Sequence, residues 1–161
     1  MKFIFQYIIL ITFFCISNSV QSNNNIPFRS LNSNDGLTNN QVYSIIKDQT
    51  GFIWIGTTSG LNRFDGTKFV TYKHIQNDSS TISDNFVLKI IEDKTGVLWI
   101  LSRNSMLSFY HPTKESFTRN SPIFNKSIAI PNIHISDINT DNQGNIWITN
   151  SLFGIYHYNF E

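Results

Sequence analysis

The sequence has a single cysteine, Cys15, and it lies inside an apolar N-terminal stretch. The rest of the chain therefore holds no disulfide, no thiol nucleophile and no thiolate metal site. Charge is scarce too: 14% of the 161 residues are charged, and the net charge is +1. Nucleic acid and anionic membrane surfaces need a basic face, whereas Lys and Arg are scattered singly here. Neither partner is expected. There is no G-x-S-x-G, no P-loop and no kinase motif. The four histidines, His74, His111, His134 and His157, lack metal spacing such as H-x-x-x-H. A glycosidase or lyase needs two carboxylates converging on one pocket, but Asp35, Asp65 and Asp84 sit in turns and joins. No catalytic residue, cofactor or metal site is expected.

What is plentiful is aromatic residues, Asn, Ser and Thr. β-Branched and aromatic residues cluster in short runs bounded by Gly, Asn and Asp, and few segments read as helix. That is an all-β composition. Ahead of it, Met1-Lys2, the apolar run Phe3 to Ile16 and the exit Ser17 to Ser22 describe a secretory signal peptide over 1–22. Ser17-Asn18-Ser19 and Val20-Gln21-Ser22 both suit cleavage. The run falls short of the about 20 residues that cross a bilayer, which disfavours an uncleaved anchor. Phe13-Phe14 stand where a lipidated cysteine would need small residues. With that leader the body is expected to be exported, in the periplasm, and no later stretch is long and apolar enough to span a membrane.

The informative feature is an internal repeat. Copies start at Leu37, Ile82 and, more weakly, Ile130, and share Asp-x-x-Gly-x-x-Trp-Ile. Trp54, Trp99 and Trp147 are spaced 45 and then 48 residues apart. Gly51, Gly96 and Gly144 precede them by three residues, and Asp48, Asp93 and Asp141 precede those by three more. One unit reads as strand Val42 to Asp48, a turn at Gln49-Thr50-Gly51, strand Phe52 to Thr57, a turn at Gly60, strand Leu61 to Phe64 and strand Lys68 to Tyr72. Ile53-Trp54-Ile55, Leu98-Trp99-Ile100 and Ile146-Trp147-Ile148 are apolar on consecutive residues. Neighbours on a strand face opposite sides, so each hairpin must be covered on both faces. The pairs Val42 and Ile45, Val87 and Ile90, and Ile135 and Ile138 are three apart and are likewise expected on opposite faces. Small antiparallel sheets stacked face to face are propeller blades; a sandwich would bury one face of each sheet.

The recurring aspartates could be calcium ligands, but Asp-x-x-Gly with one carboxylate per turn reads as a turn cap. The tryptophans could stack on sugars, yet their place in apolar runs reads as core. Arg63 and Arg103 are better candidates for ligand contact, against a solvated or snorkelling role. No ligand-binding residue is assigned.

The first unit resembles the two-component regulator propeller repeat, through Asp35-Gly36-Leu37, Val42-x-x-Ile45, Asp48, Gly51 to Thr57, Gly60 to Gly66, Phe69 and Tyr72. The link Asn77 to Asn85 is similar to the family's join between its first two blades. The family occurs in the periplasmic sensor regions of Bacteroidetes-type hybrid histidine kinases, where further domains follow, the kinase among them. The resemblance implies a sensory propeller segment responding to a glycan or similar nutrient, without the kinase part. A stand-alone extracellular binding propeller and a propeller polysaccharide lyase are the alternatives. Leu101-Ser102 and Ser105 depart from the pattern in blade two, and Thr149-Asn150 in blade three.

The reading is a signal peptide (1–22), an N-terminal strand segment (26–36) with Phe28 to Leu31 as the strand, blade 1 (37–76), join and blade 2 (77–127) and blade 3 (128–161). Closed propellers use about 4 to 8 blades. Three leave two faces bare, so the chain is expected to self-associate or to be a fragment of something longer.

Overall fold

The computed structural model describes residues 28–119 and 134–160. The leader and the start of the third repeat at Ile130 lie outside them. Within the unit Leu31–Glu161 the chain forms eleven strands in three antiparallel meanders. Blade 1 is β1 (Val42–Lys47), β2 (Ile53–Thr57), β3 (Gly60–Phe64) and β4 (Phe69–Tyr72). Blade 2 is β5 (Val87–Glu92), β6 (Leu98–Ser102), β7 (Leu107–His111) and β8 (Ser116–Thr118). Blade 3 has three strands among the described residues: β9 (Ile135–Thr140), β10 (Ile146–Asn150) and β11 (Gly154–Tyr158). The described part of the segment read as an N-terminal strand holds none. It carries a 3-10 turn at Ser33–Asp35, capped by Asn32 and ended by Gly36 at φ 106°.

Each Trp hairpin follows from its loop. The Asp48 N–H donates to the Phe52 carbonyl at 2.9 Å, and Gly51 donates back to the Asp48 carbonyl at 3.0 Å. Closing a three-residue loop this way needs a left-handed residue, and Gly51 supplies φ 99°. Gly96 and Gly144 do the same in the later blades, at φ 82° and 77°.

Alternate residues of β6 then divide between two cores. Leu98 and Ile100 join Trp54, Leu61, Val87, Ile90, Tyr110 and Phe117 in the layer between blades 1 and 2. Trp99 and Leu101 join Leu107, Phe109, Ile135, Ile138, Ile146 and Ile148 between blades 2 and 3. The central sheet is dry on both sides, as the consecutive apolar run requires. Burying a large aromatic such as Trp54 or Trp99 removes about 150–250 Å² from water, or about 4–6 kcal/mol of transfer free energy.

One expectation is corrected. Val87 and Ile90 lie in the same core layer, as do Ile135 and Ile138. Register shifts between Val87 and Lys89 and between Thr149 and Asn150 explain it. A bulge adds one residue to the period, so side chains three apart return to the same face.

Position 56 sets how closely blades approach. A Cβ on Gly56 would fall 2.6 Å from Val87 Cγ1, so β2 and β5 meet where only glycine fits. Leu101 occupies the same repeat position in blade 2 and is instead buried against blade 3. The missing glycine of the next turn is absorbed locally: Ser105 adopts φ 61° where Gly60 has 144°. A left-handed non-glycine residue costs about 1 kcal/mol, small beside the burial it permits.

Candidate functional site

The repeated Asp, Gly and Trp positions come together at one end of each hairpin. Asp48 accepts through Oδ1 from the Thr50 hydroxyl at 2.7 Å and the Phe52 N–H at 2.9 Å. Its Oδ2 accepts from the Trp54 indole N–H at 2.7 Å. In blade 2, Asp93 Oδ1 accepts from Thr95 and Val97, and Oδ2 from the Trp99 indole at 2.8 Å. In blade 3, Asp141 Oδ1 accepts from the N–H groups of Gln143 and Asn145, and Oδ2 from the Trp147 indole at 3.1 Å. These aspartates therefore cap their turns and also anchor the tryptophan. The second role was missed in the sequence, although the constant six-residue interval in all three copies was its signal.

Every one of these oxygens accepts from a protein donor. Among the described residues, no group of three or more His, Cys, Asp and Glu is placed to hold a metal. Trp54 and Trp99 are sealed, but Trp147 is 39% exposed and stacks on His157 at 4.1 Å.

Arg63 faces protein, whereas Arg103 is exposed. Arg63 donates to the Tyr110 hydroxyl at 3.1 Å and to Glu115 at 3.3 Å, and lies 4.6 Å over the Phe52 ring. It staples blade 1 to blade 2. Arg103 lies 5.2 Å over Phe86. Other contacts across the junctions were not foreseen. The Gln49 N–H donates to the Glu92 carboxylate at 3.0 Å, and Lys89 pairs with Asp137 at 2.8 Å. Burial raises the Glu92 carboxyl above its ordinary value, against the pull of the Gln49 N–H.

Two clefts lie where β4 and β8 meet the link from blade 1 to blade 2. A cleft of about 390 Å³ has Tyr72, Ile82 and Phe117 among its walls, with Lys73, Thr81 and Glu115 also lining it. Burial pushes the Tyr72 hydroxyl up to about 12. A neighbouring cleft of about 350 Å³ includes Ser79, Ser80 and Arg119. Arg119 ties the link down: it donates to the carbonyls of Asp78 at 2.8 Å and Ile82 at 3.2 Å, and its Nη2 lies 3.0 Å from His74 Nδ1. No repeat motif marks Arg119, and nothing in its sequence neighbourhood signals this role.

The family model for the two-component regulator propeller matches residues 36–59 and 81–104, the stretches that carry the Trp54 and Trp99 hairpins. Those two stretches carry the two-component regulator propeller repeat. The extracellular domain of a putative hybrid two-component system, BT3049 of B. thetaiotaomicron, is similar over 81% of this chain, with 32% identity and a TM-score of 0.62. The corresponding domain of BT4673 from the same organism is similar over 73%, with 28% identity and a TM-score of 0.53. Among curated proteins, histidine kinase P4 of Formosa agariphila is 41% identical over 75 residues. The chain spans 20% and 16% of the two solved structures and 5% of the kinase. Its sheets are blades of a propeller.

Proposed function

We propose that this chain is a sector of an extracytoplasmic sensory propeller in a hybrid two-component system, one that reads a carbohydrate or similar nutrient. The observation that carries the reading is the stack of blades, whose fold is similar to the extracellular domain of such a system. The blades themselves are scaffold, because the repeated polar groups are consumed in holding hairpins together. Chemistry available to a ligand lies in the groove along the link. Its Tyr72 and Phe117 walls offer aromatic surface, and Lys73, Ser80, Thr81 and Glu115 offer hydroxyl and charged groups. At about 390 Å³ it is within the range of small-molecule sites. Such a groove fits a short oligosaccharide. Occupation would bias the arrangement of the propeller and its attached parts, a shift of populations rather than catalysis.

Titration calorimetry of the purified chain with a panel of oligosaccharides tests this. Binding that is lost in Ser80→Trp, which fills the groove, supports the reading. No binding by any member refutes carbohydrate sensing at this groove. Turnover of an oligosaccharide would assign a lyase instead.

A further inference from the structure

The link between blades 1 and 2 is tied to blade 2 through Arg119, and a histidine stands at the centre of the tie. His74 follows β4, with its N–H donating to Asn85 Oδ1 at 2.8 Å. Its ring Nδ1 lies 2.9 Å from the Ile82 carbonyl oxygen and 3.0 Å from Nη2 of Arg119, the residue after β8. A guanidinium only donates and a carbonyl only accepts. One ring nitrogen therefore cannot serve both neighbours in one protonation state. With a lone pair at Nδ1 it accepts from Arg119; with a hydrogen there it donates to Ile82. In the first case the carbonyl is not orphaned, because Arg119 Nη2 lies 3.2 Å from it. The Ile82 side chain is fully buried between the blades, so its carbonyl is fixed and Arg119 is the partner that gives way. Arg119 also holds the link itself, donating to the carbonyls of Asp78 at 2.8 Å and Thr81 at 3.3 Å.

We infer that His74 and Arg119 form a proton-sensitive latch on this link: neutral His74 holds Arg119 across the link, and protonated His74 takes the Ile82 carbonyl and releases Arg119. Charge acts in the same direction as geometry, since an imidazolium would face a guanidinium at the 3.0 Å contact. The closed link takes no proton at Nδ1, so closure is favoured as pH rises and opposed as pH falls. The other charged groups here do not reverse that sign. Lys73, next in the chain, is exposed and also positive. Asp78 is held below its ordinary value by the Ser80 hydroxyl and N–H and by Arg119, so it stays charged while imidazoles titrate. Glu115, the acid lining the groove, is paired with Arg63. Arg119 lines the second cleft with Ser79 and Ser80, so the latch sets whether that cleft presents a bound guanidinium or a free one. The inference stands whatever ligand the groove takes.

The test follows the full chain from about pH 8 to about pH 5, the range in which histidines change charge. Nitrogen-15 NMR of the His74 ring reads the tautomer: Nδ1 is expected bare at the upper end, with both nitrogens protonated at the lower. Hydrogen exchange reads the link at two amides, Ile75, which donates to Thr81 Oγ1, and Asp78, which donates to the Ile75 carbonyl. Corrected for intrinsic rates, their protection is expected to fall about five- to tenfold across the His74 transition. His74→Gln, neutral throughout, should abolish that pH dependence, and Arg119→Gln should leave protection low at both ends. A proton on Nδ1 at the upper end, protection that does not change in the parent chain, or a fall that persists unaltered in His74→Gln would each overturn the latch. The ring measurement is made on the parent chain and does not depend on either variant folding.

Discussion

The indole N–H of Trp99 donates to Asp93 Oδ2 at 2.8 Å, across a three-residue loop and in a wholly buried site. The other Asp93 oxygen holds the loop itself, accepting from Thr95 and Val97. One side chain therefore fixes both the turn and the residue that fills the junction with the next blade. This coupling explains why Asp, Gly and Trp recur together, and it sets the first prediction.

Asp93→Ala strands a buried indole donor and removes the loop's cap. A buried hydrogen bond to a charged group is worth about 1.5–3 kcal/mol, so urea unfolding should show a loss of about 2–4 kcal/mol. Asp141→Ala, whose partner Trp147 is open to water, should lose under about 1 kcal/mol. Equal losses would mean that burial does not set the strength of the clasp.

Acid should loosen the exposed clasp. Asp141 is held at about 2 by the hydrogen bonds from Trp147 and Asn145, and Asp65 at about 2 by those from Thr67 and Lys68, against 3.8 when free. Both are depressed in the folded state, so the unfolded chain binds more protons as pH falls. Their contribution is present above about pH 4 and is lost as pH drops from 3.8 toward 2. The unfolding midpoint should fall over that window, and less steeply in Asp141→Asn. An unchanged slope in that variant would contradict the assignment.

Gly56→Ala should open the junction between blades 1 and 2, since its new methyl would collide with Val87. Overpacking of this kind costs about 1–3 kcal/mol. Val87→Ala made in the same chain should recover part of the loss, a coupling that a double-mutant cycle in urea measures directly. Simple additivity would place the strain elsewhere.

Ser105→Gly should stabilise the chain by about 0.5–1 kcal/mol, because glycine takes φ 61° without a side-chain penalty. A thermal melt checks it; a loss of stability would mean the Ser105 side chain makes a compensating contact.

Much of the fold was legible because it is periodic. Three copies of Asp-x-x-Gly-x-x-Trp gave the hairpins to within a residue, and the unbroken Ile-Trp-Ile runs required sheets covered on both faces. What stayed hidden depends on neighbours rather than on the repeat. The bulges that return Val87 and Ile90 to one face come from slips in pairing with β6, and periodicity alone had placed them on opposite faces. The segment at Phe28 to Leu31 has β-like residues but no pairing partner among the described strands, and a 3-10 turn follows it. Gly56 and Leu101 share a repeat position yet serve junctions of different width, which no single repeat encodes. The groove beside β4 and β8 is made by the link between blades, where the repeat is silent.

The central claim is that each tryptophan hairpin is shielded by the leading face of the blade that follows it. Fluorine NMR of the chain labelled with 5-fluorotryptophan measures this most directly through the solvent isotope shift of each resonance. The account predicts two resonances, Trp54 and Trp99, with no shift between H2O and D2O, and one, Trp147, that shifts and disappears in Trp147→Phe. Three shifting resonances would put the indoles in water and contradict the stacked-blade architecture.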